Sequence, residues 1–177
     1  MIVTAAQLHA IMIYAHRRVE RYVDTLNLAM EEFTINTPTR ASAFLAQVAH
    51  ESGELRYVEE IASGEAYEGR LDLGNTEPGD GVRFKGRGFL QITGRSNYAA
   101  CGAALELDLL TAPELLESPA GASRSAGWFW ETHGCNELAD TDDFRRITIR
   151  INGGLTHYDD GPGSRVAYWN EAKKQLT

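Results

Sequence analysis

The chain has only two cysteines, Cys101 and Cys135, in 177 residues. They show neither C-x-x-C spacing nor the count of a disulfide framework, so a disulfide-stapled scaffold and a zinc ribbon are excluded and free thiols are expected. No apolar run approaches the ~20 residues of a membrane span, and the stretch Ile11–Ala15 is broken by His16, Arg17 and Arg18. The opening Met1-Ile2-Val3-Thr4-Ala5-Ala6-Gln7 lacks the basic segment and apolar stretch of a secretory signal. A soluble protein made in the cytoplasm is expected. Positive charge is also scarce: 17 Lys and Arg stand against 25 Asp and Glu, a net charge of −8. Duplex nucleic acid and an anionic bilayer both demand neutralisation of phosphates, so neither is expected as a principal partner. His50-Glu51-Ser52-Gly53-Glu54 has no second imidazole one turn on, and the histidines are scattered, so no metal is expected. Gly86-Arg87-Gly88 has no glycine three residues later, and neither a phosphate-binding G-x-x-x-x-G-K-[ST] loop nor a G-x-S-x-G elbow occurs. No nucleotide or other cofactor is expected.

What is present is helical periodicity in a chain with 43% apolar residues, too many for disorder. Leu8, Ile11, Met12 and Ala15, then Val19, Tyr22, Val23 and Leu26, predict two helices or one bent helix between Thr4 and Phe33. Thr37-Pro38 and Ser118-Pro119 each pair an N-cap with proline at the first helical position. The first opens a helix ending near Gly53, the second one running through Trp128-Phe129-Trp130. A helix from Thr141 to Gly153-Gly154 and a last one from about Ser164 to Gln175 complete the set. Residues 63–98 differ, with eight glycines and short apolar stretches. Phe84-Lys85 and Phe89-Leu90-Gln91-Ile92-Thr93 read as two short strands around Gly86-Arg87-Gly88. The fold class is therefore mainly α, a bilobal helical body with a small glycine-rich hairpin insert and a cleft between the lobes.

Carboxylates are the chemistry left. Glu51 falls at the C-terminal end of an apolar helix, where the macrodipole places negative potential. Partial burial beside Val48, Ala49 and Tyr57 works the same way, and both favour the protonated form that a general acid needs. A solvent-exposed glutamate at a frayed helix end is the plain alternative. Glu59-Glu60 follows, and Glu60 lies nine residues after Glu51. One unbroken helix would put those two on opposite faces, but Gly53 interrupts it, so a fold-back across a groove is open. Tyr57, Tyr67, Arg87, Gln91, Thr93, Asn97, Tyr98 and Asn152 form a polar and aromatic set suited to sugar. Strand alternation would put Gln91 and Thr93 on one face. Asn152-Gly153-Gly154 also reads simply as a helix C-cap.

Four blocks carry a resemblance: Phe44–Gly53 with His50-Glu51-Ser52-Gly53, Leu55–Glu60, Phe84–Tyr98, and Ile151-Asn152-Gly153-Gly154-Leu155. In this order they resemble glycoside hydrolase family 19, more closely its short bacterial and phage lysozyme-like endolysins than the plant chitinases. The resemblance implies a lysozyme-like fold and inverting hydrolysis of β-1,4 bonds of N-acetylated amino sugars. It places Glu51 as general acid, Glu60 as general base with Glu59 as the neighbour open to confusion, and Thr93 at a water-holding position. Gln91, Asn97, Tyr98 and Asn152 match cleft positions that contact sugar, His50 and Tyr57 are expected to join them in binding substrate, and Arg87 shapes the hairpin. In Ser164-Arg165-Val166-Ala167, the following Tyr168-Trp169 departs from the family pattern and leaves its arginine–carboxylate pairing unassigned.

The plant enzymes' cysteine framework and long cleft loops are missing, which predicts fewer subsites and a more open cleft. Residues 1–177 are expected to form one catalytic domain, a helical element over 1–35 and a core over 36–177, with no wall-binding module. The expected function is that of a monomeric peptidoglycan-cleaving endolysin, a muramidase acting between N-acetylmuramic acid and N-acetylglucosamine during host lysis. Its partner is the glycan strand, reached in the periplasm through a separate pore. A chitinase, a lytic transglycosylase needing only one carboxylate, and a silent glycan-binding protein are the alternatives.

Overall fold

Thr37 and Pro38 start the helix around which the rest is arranged. In the computed structural model, which describes residues 1–177, the Thr37 side chain accepts the Arg40 amide and α3 runs over Pro38–Glu51. Residues 41–49 of α3 are all buried, so this helix is apolar all round and encased by others. It packs chiefly on α9 (Arg165–Leu176) and also on α7 (Cys135–Asp140). Ser118 caps α6 (Pro119–Thr132) in the same way, and α6 lies against α2 (Arg18–Glu32). A short α1 (Ala5–Ile11), closed by a Thr4–Gln7 capping box, packs on α2 and α9. The N-terminal stretch is thus two separate helices, and Asn27 of α2 ties it down by bonding both ways with Val3.

One hydrophobic cluster runs from Val3 through Phe44 and Trp130 to Ala172. Phe44 and Trp130 meet edge to face, centroids 5.4 Å apart, and the indole N–H donates to Asn136 Oδ1. Losing the Trp130 ring would cost about 3–5 kcal/mol. Cys101 and Cys135 are fully buried free thiols whose pKa values burial pushes up to about 12. No helix is long and apolar enough to cross a membrane.

The glycine-rich middle departs from expectation. It forms no strands. Only isolated bridges join Glu59 to Arg87 and Arg87 to Ile92. Gln91, in the middle of the expected second strand, has φ +52°, which breaks the extended run and with it the alternation argued for Gln91 and Thr93. The segment is instead a stack of turns held by carboxylates. Asp80, almost fully buried, accepts the Thr76 and Glu77 amides and pairs with Arg95 at 2.5 Å, which holds its carboxyl below the usual range. Glu68 accepts the amides of Gly79 and Gly81 in the same way. A single turn of helix, α4, covers Asp80–Arg83, and an unanticipated α5 follows over Arg95–Leu105. The helix expected from Thr141 is α8, over Phe144–Asn152 and capped by Asp143, and α7 precedes it as a short helix that was not expected.

Candidate active site

Glu51 is the last residue of α3, as its position before Ser52-Gly53 required. Its carboxylate lies 2.6 Å from Nη2 of Arg165, the first residue of α9. Arg165 is 2% exposed. The contact is an ion pair without an aligned hydrogen bond, since no donor meets Glu51 Oε1 at bonding geometry. Nη1 of the same guanidinium donates to Gln47 Oε1 at 2.5 Å, and Gln47 Nε2 donates to Thr148 Oγ1 at 2.8 Å. A buried polar chain therefore runs from Glu51 through α9 and α3 to α8. Sequence reasoning left Arg165 unassigned and missed Gln47 and Thr148. A glutamine followed one turn later by the candidate acid, inside an otherwise apolar helix, was the available signal.

His50 lies beside this pair. Its Nδ1–H donates to the Gly163 carbonyl, and its ring centroid is 5.9 Å from that of His157. Burial, then the Arg165 charge, lower its pKa, so the imidazole is neutral near neutral pH. Tyr57 packs its ring over the backbone of Gly53, with the Arg56 guanidinium 5.0 Å from the ring centre.

Glu60 is held quite differently. Oε1 accepts the Tyr67 hydroxyl and Oε2 the Gly86 amide, both at 3.0 Å, while the Glu60 amide donates to the Gly86 carbonyl. All these donors are neutral. Burial and the bond to Glu60 raise the Tyr67 pKa, so that hydroxyl remains a donor. Glu59 is committed elsewhere: Lys85 Nζ lies 2.9 Å and Arg87 Nη2 3.4 Å from its Oε1. Arg87 also holds Glu117 and the Arg83 carbonyl, which makes it the strut of the turn it was expected to shape.

A methyl group on Gly86 would stand 2.3 Å from Gln91 Oε1 and 3.1 Å from Glu60 Oε2, so all three sit at one place. Gln91 continues into a hollow of about 140 Å³ shared with Thr93, Asn97, Trp128, Phe129 and His133. There Thr93 Oγ1 donates to the Gln91 carbonyl and Asn97 Nδ2 to the Thr93 carbonyl. Three expected residues are thus brought together. Trp128, Phe129 and His133 were missed, although in a run of three helical aromatics only one is fully buried in the core. That one is Trp130.

Two expected residues make structural bonds of their own. Tyr98 is a core side chain, fully buried, with its hydroxyl between the Lys85 carbonyl and Arg87 Nη1. It presents no atom to a ligand, and the expectation that it touches sugar is corrected. Asn152 ends α8 before a left-handed Gly153 and donates to the Gly154 carbonyl, as a helix cap does, with its side chain exposed. No group of metal-ligating side chains occurs.

Residues 34–142 match the family model for glycosyl hydrolase family 19, chitinase class I. A Haemophilus influenzae protein with a glycosyl hydrolase family 19 domain is 38% identical over 102 residues, covering 57% of this chain and 48% of that protein. An Arabidopsis thaliana endochitinase is 41% identical over 114 residues, covering 64% and 39%. The chain thus spans about half or less of the curated relatives it matches. Among solved structures, a bacterial family 19 chitinase superposes with TM-score 0.79 at 27% identity, over 99% of this chain and 95% of that one. Chitinase C of Streptomyces griseus gives TM-score 0.79 at 25% identity, over 99% and 76%. The fold and these relatives define the class, the family 19 glycosyl hydrolase fold. The chain belongs to glycoside hydrolase family 19, as its four sequence blocks implied.

Proposed function

We propose that the chain hydrolyses the β-1,4 bonds of peptidoglycan with inversion, using Glu51 as general acid and Glu60 as general base. The observation that carries this reading is the unlike treatment of the two carboxylates. Glu51 stands against the buried Arg165 guanidinium, which fixes its carboxyl at the end of α3. The Glu60 carboxylate accepts only neutral donors, which orient it without neutralising it, and Lys85 Nζ reaches only its backbone carbonyl. Glu51 donates its proton to the glycosidic oxygen as the C1–O bond breaks. Glu60 takes a proton from water as the new C1–O bond forms on the opposite face. Both carboxyls then exchange with solvent to reset. Gln91, which meets Glu60 at Gly86, and Thr93, which shares its hollow, would hold that water. General acid and base catalysis contribute about 10²–10⁴-fold each.

Peptidoglycan is preferred because the cysteine framework and long cleft loops of the plant enzymes are absent from the sequence, which suits a strand bearing peptides. Chitin is the second reading, favoured by the endochitinase relatives. The test is mass spectrometry of purified peptidoglycan and of N-acetylglucosamine oligomers digested by wild type and Glu51→Gln. New reducing-end N-acetylmuramic acid from wild type alone supports the muramidase. Cleavage of the oligomers alone makes it a chitinase, and a 1,6-anhydro product refutes hydrolysis.

A further inference from the structure

The chain leaves α3 through an unusual turn. Gly53, Glu54 and Leu55 have consecutive φ values of +56°, +58° and +64°. Two of the three carry side chains in a region that favours glycine. Such a conformation persists only where its surroundings over-determine it. Backbone bonds supply part of the hold: the Glu54 amide reaches the Ala49 carbonyl, and the Leu55 amide reaches Ser52 Oγ. The remainder comes from the Glu54 side chain, 3% exposed. Its Oε2 accepts the Tyr14 amide at 2.5 Å and its Oε1 the Tyr168 hydroxyl at 2.7 Å. Arg18 adds a bond from Nε to the Glu54 carbonyl, and its Nη2 reaches the Tyr14 carbonyl.

Packing does not replace these bonds, because Glu54 walls a hollow of about 540 Å³ between α1 and α9 that Tyr14 and Tyr168 also line. Spacing ties the arrangement to Glu51. Arg165 and Tyr168 lie three residues apart on α9, hence on one face, and they grip Glu51 and Glu54, also three apart. We propose that Glu54 is a positioning residue: its carboxylate clamps the left-handed turn between the α1–α2 link and α9, and so fixes Glu51 relative to Arg165. The proposal rests on the reading of Glu51 as the acid. It gives the N-terminal helices a part in the site although they supply none of the proposed acid, base or sugar contacts.

Glu54→Gly separates the clamp from the conformation, since glycine is the residue this φ prefers. Glu54→Gln keeps the size while turning an amide toward a donor, and Tyr168→Phe removes one of the two bonds. The substrate for kinetics is whichever of peptidoglycan and N-acetylglucosamine oligomers wild type cleaves. Amide exchange of Gly53–Leu55 is followed in parallel. Expected are folded variants in which kcat of Glu54→Gly and Glu54→Gln falls by about a hundredfold with KM within about twofold. Their Leu55 amide should exchange at least about tenfold faster, and Tyr168→Phe should fall between them and wild type. Wild-type kcat and exchange in Glu54→Gly would overturn the proposal. Turnover by Glu51→Gln would defeat the catalytic reading instead, and exchange would then decide the clamp alone.

Discussion

The two proposed catalytic carboxylates are held by opposite means. Glu51 sits at the end of a buried helix, and its partner Arg165 is held in turn by Gln47 and, through it, Thr148, so that three helices of the core take part. Glu60 sits in a stack of turns where backbone amides, a phenol and ion pairs do the holding, and the fixing groups lie within about thirty residues along the chain. A group set by core packing cannot be disturbed without loss of stability. A group set by a glycine-rich loop can be disturbed almost alone. The difference teaches that stability and activity should separate on one side and not on the other.

Arg165→Ala tests this hardest. It strands Glu51 and Gln47 beside a void, so stability should fall by about 3–5 kcal/mol in urea unfolding, with activity lost as well. Arg165→Lys keeps the charge but not the fork, and should fall between Arg165→Ala and wild type. Next comes the pair Glu60→Gln and Glu59→Gln. The first should lower kcat by about 10²–10⁴-fold with stability within about 1 kcal/mol. The second loosens the Lys85 and Arg87 contacts and should lower kcat far less, because a carboxylate tied to two cations is no substitute base. Equal effects would break the assignment of Glu60.

Gly86→Ala sharpens the same contrast. The added methyl displaces Gln91 and Glu60 rather than the core, so kcat should drop by roughly tenfold while the melting temperature moves only a few degrees. The smallest effect belongs to His50. Its lowered pKa means that the unfolded chain binds a proton first as pH falls from about 6.5. The stability it contributes is therefore present above that pH and is lost as pH falls through the folded value. NMR titration should give a midpoint below the ~6.5 of a free histidine; a midpoint above it would contradict the burial argument.

How much of this was legible follows the same division. Thr37-Pro38 and Ser118-Pro119 announce α3 and α6 because an oxygen-bearing cap and a pre-set φ are local devices. The end of α3 at Glu51, and with it the candidate acid, was readable for the same reason. α5 was not. It starts after Gly94 with no side-chain cap, carries mostly small residues and ends on a left-handed Glu106 instead of glycine. The absent strands were misread because Phe89–Thr93 alternates as a strand does, yet no neighbouring segment supplies a ladder and Gln91 turns. Burial of Tyr98 and pairing of Arg165 are contacts between distant segments, and one-dimensional spacing does not encode them.

The two thiols carry a practical consequence. Buried, and with pKa values near 12, Cys101 and Cys135 offer almost no thiolate to an alkylating reagent or a disulfide. The native protein should behave alike in oxidising and reducing surroundings. A cysteine introduced at Ile61, beside Glu60 and 84% exposed, would be the single reactive sulfur on the surface. A fluorophore attached there would report glycan arrival in real time without any native residue having to be removed.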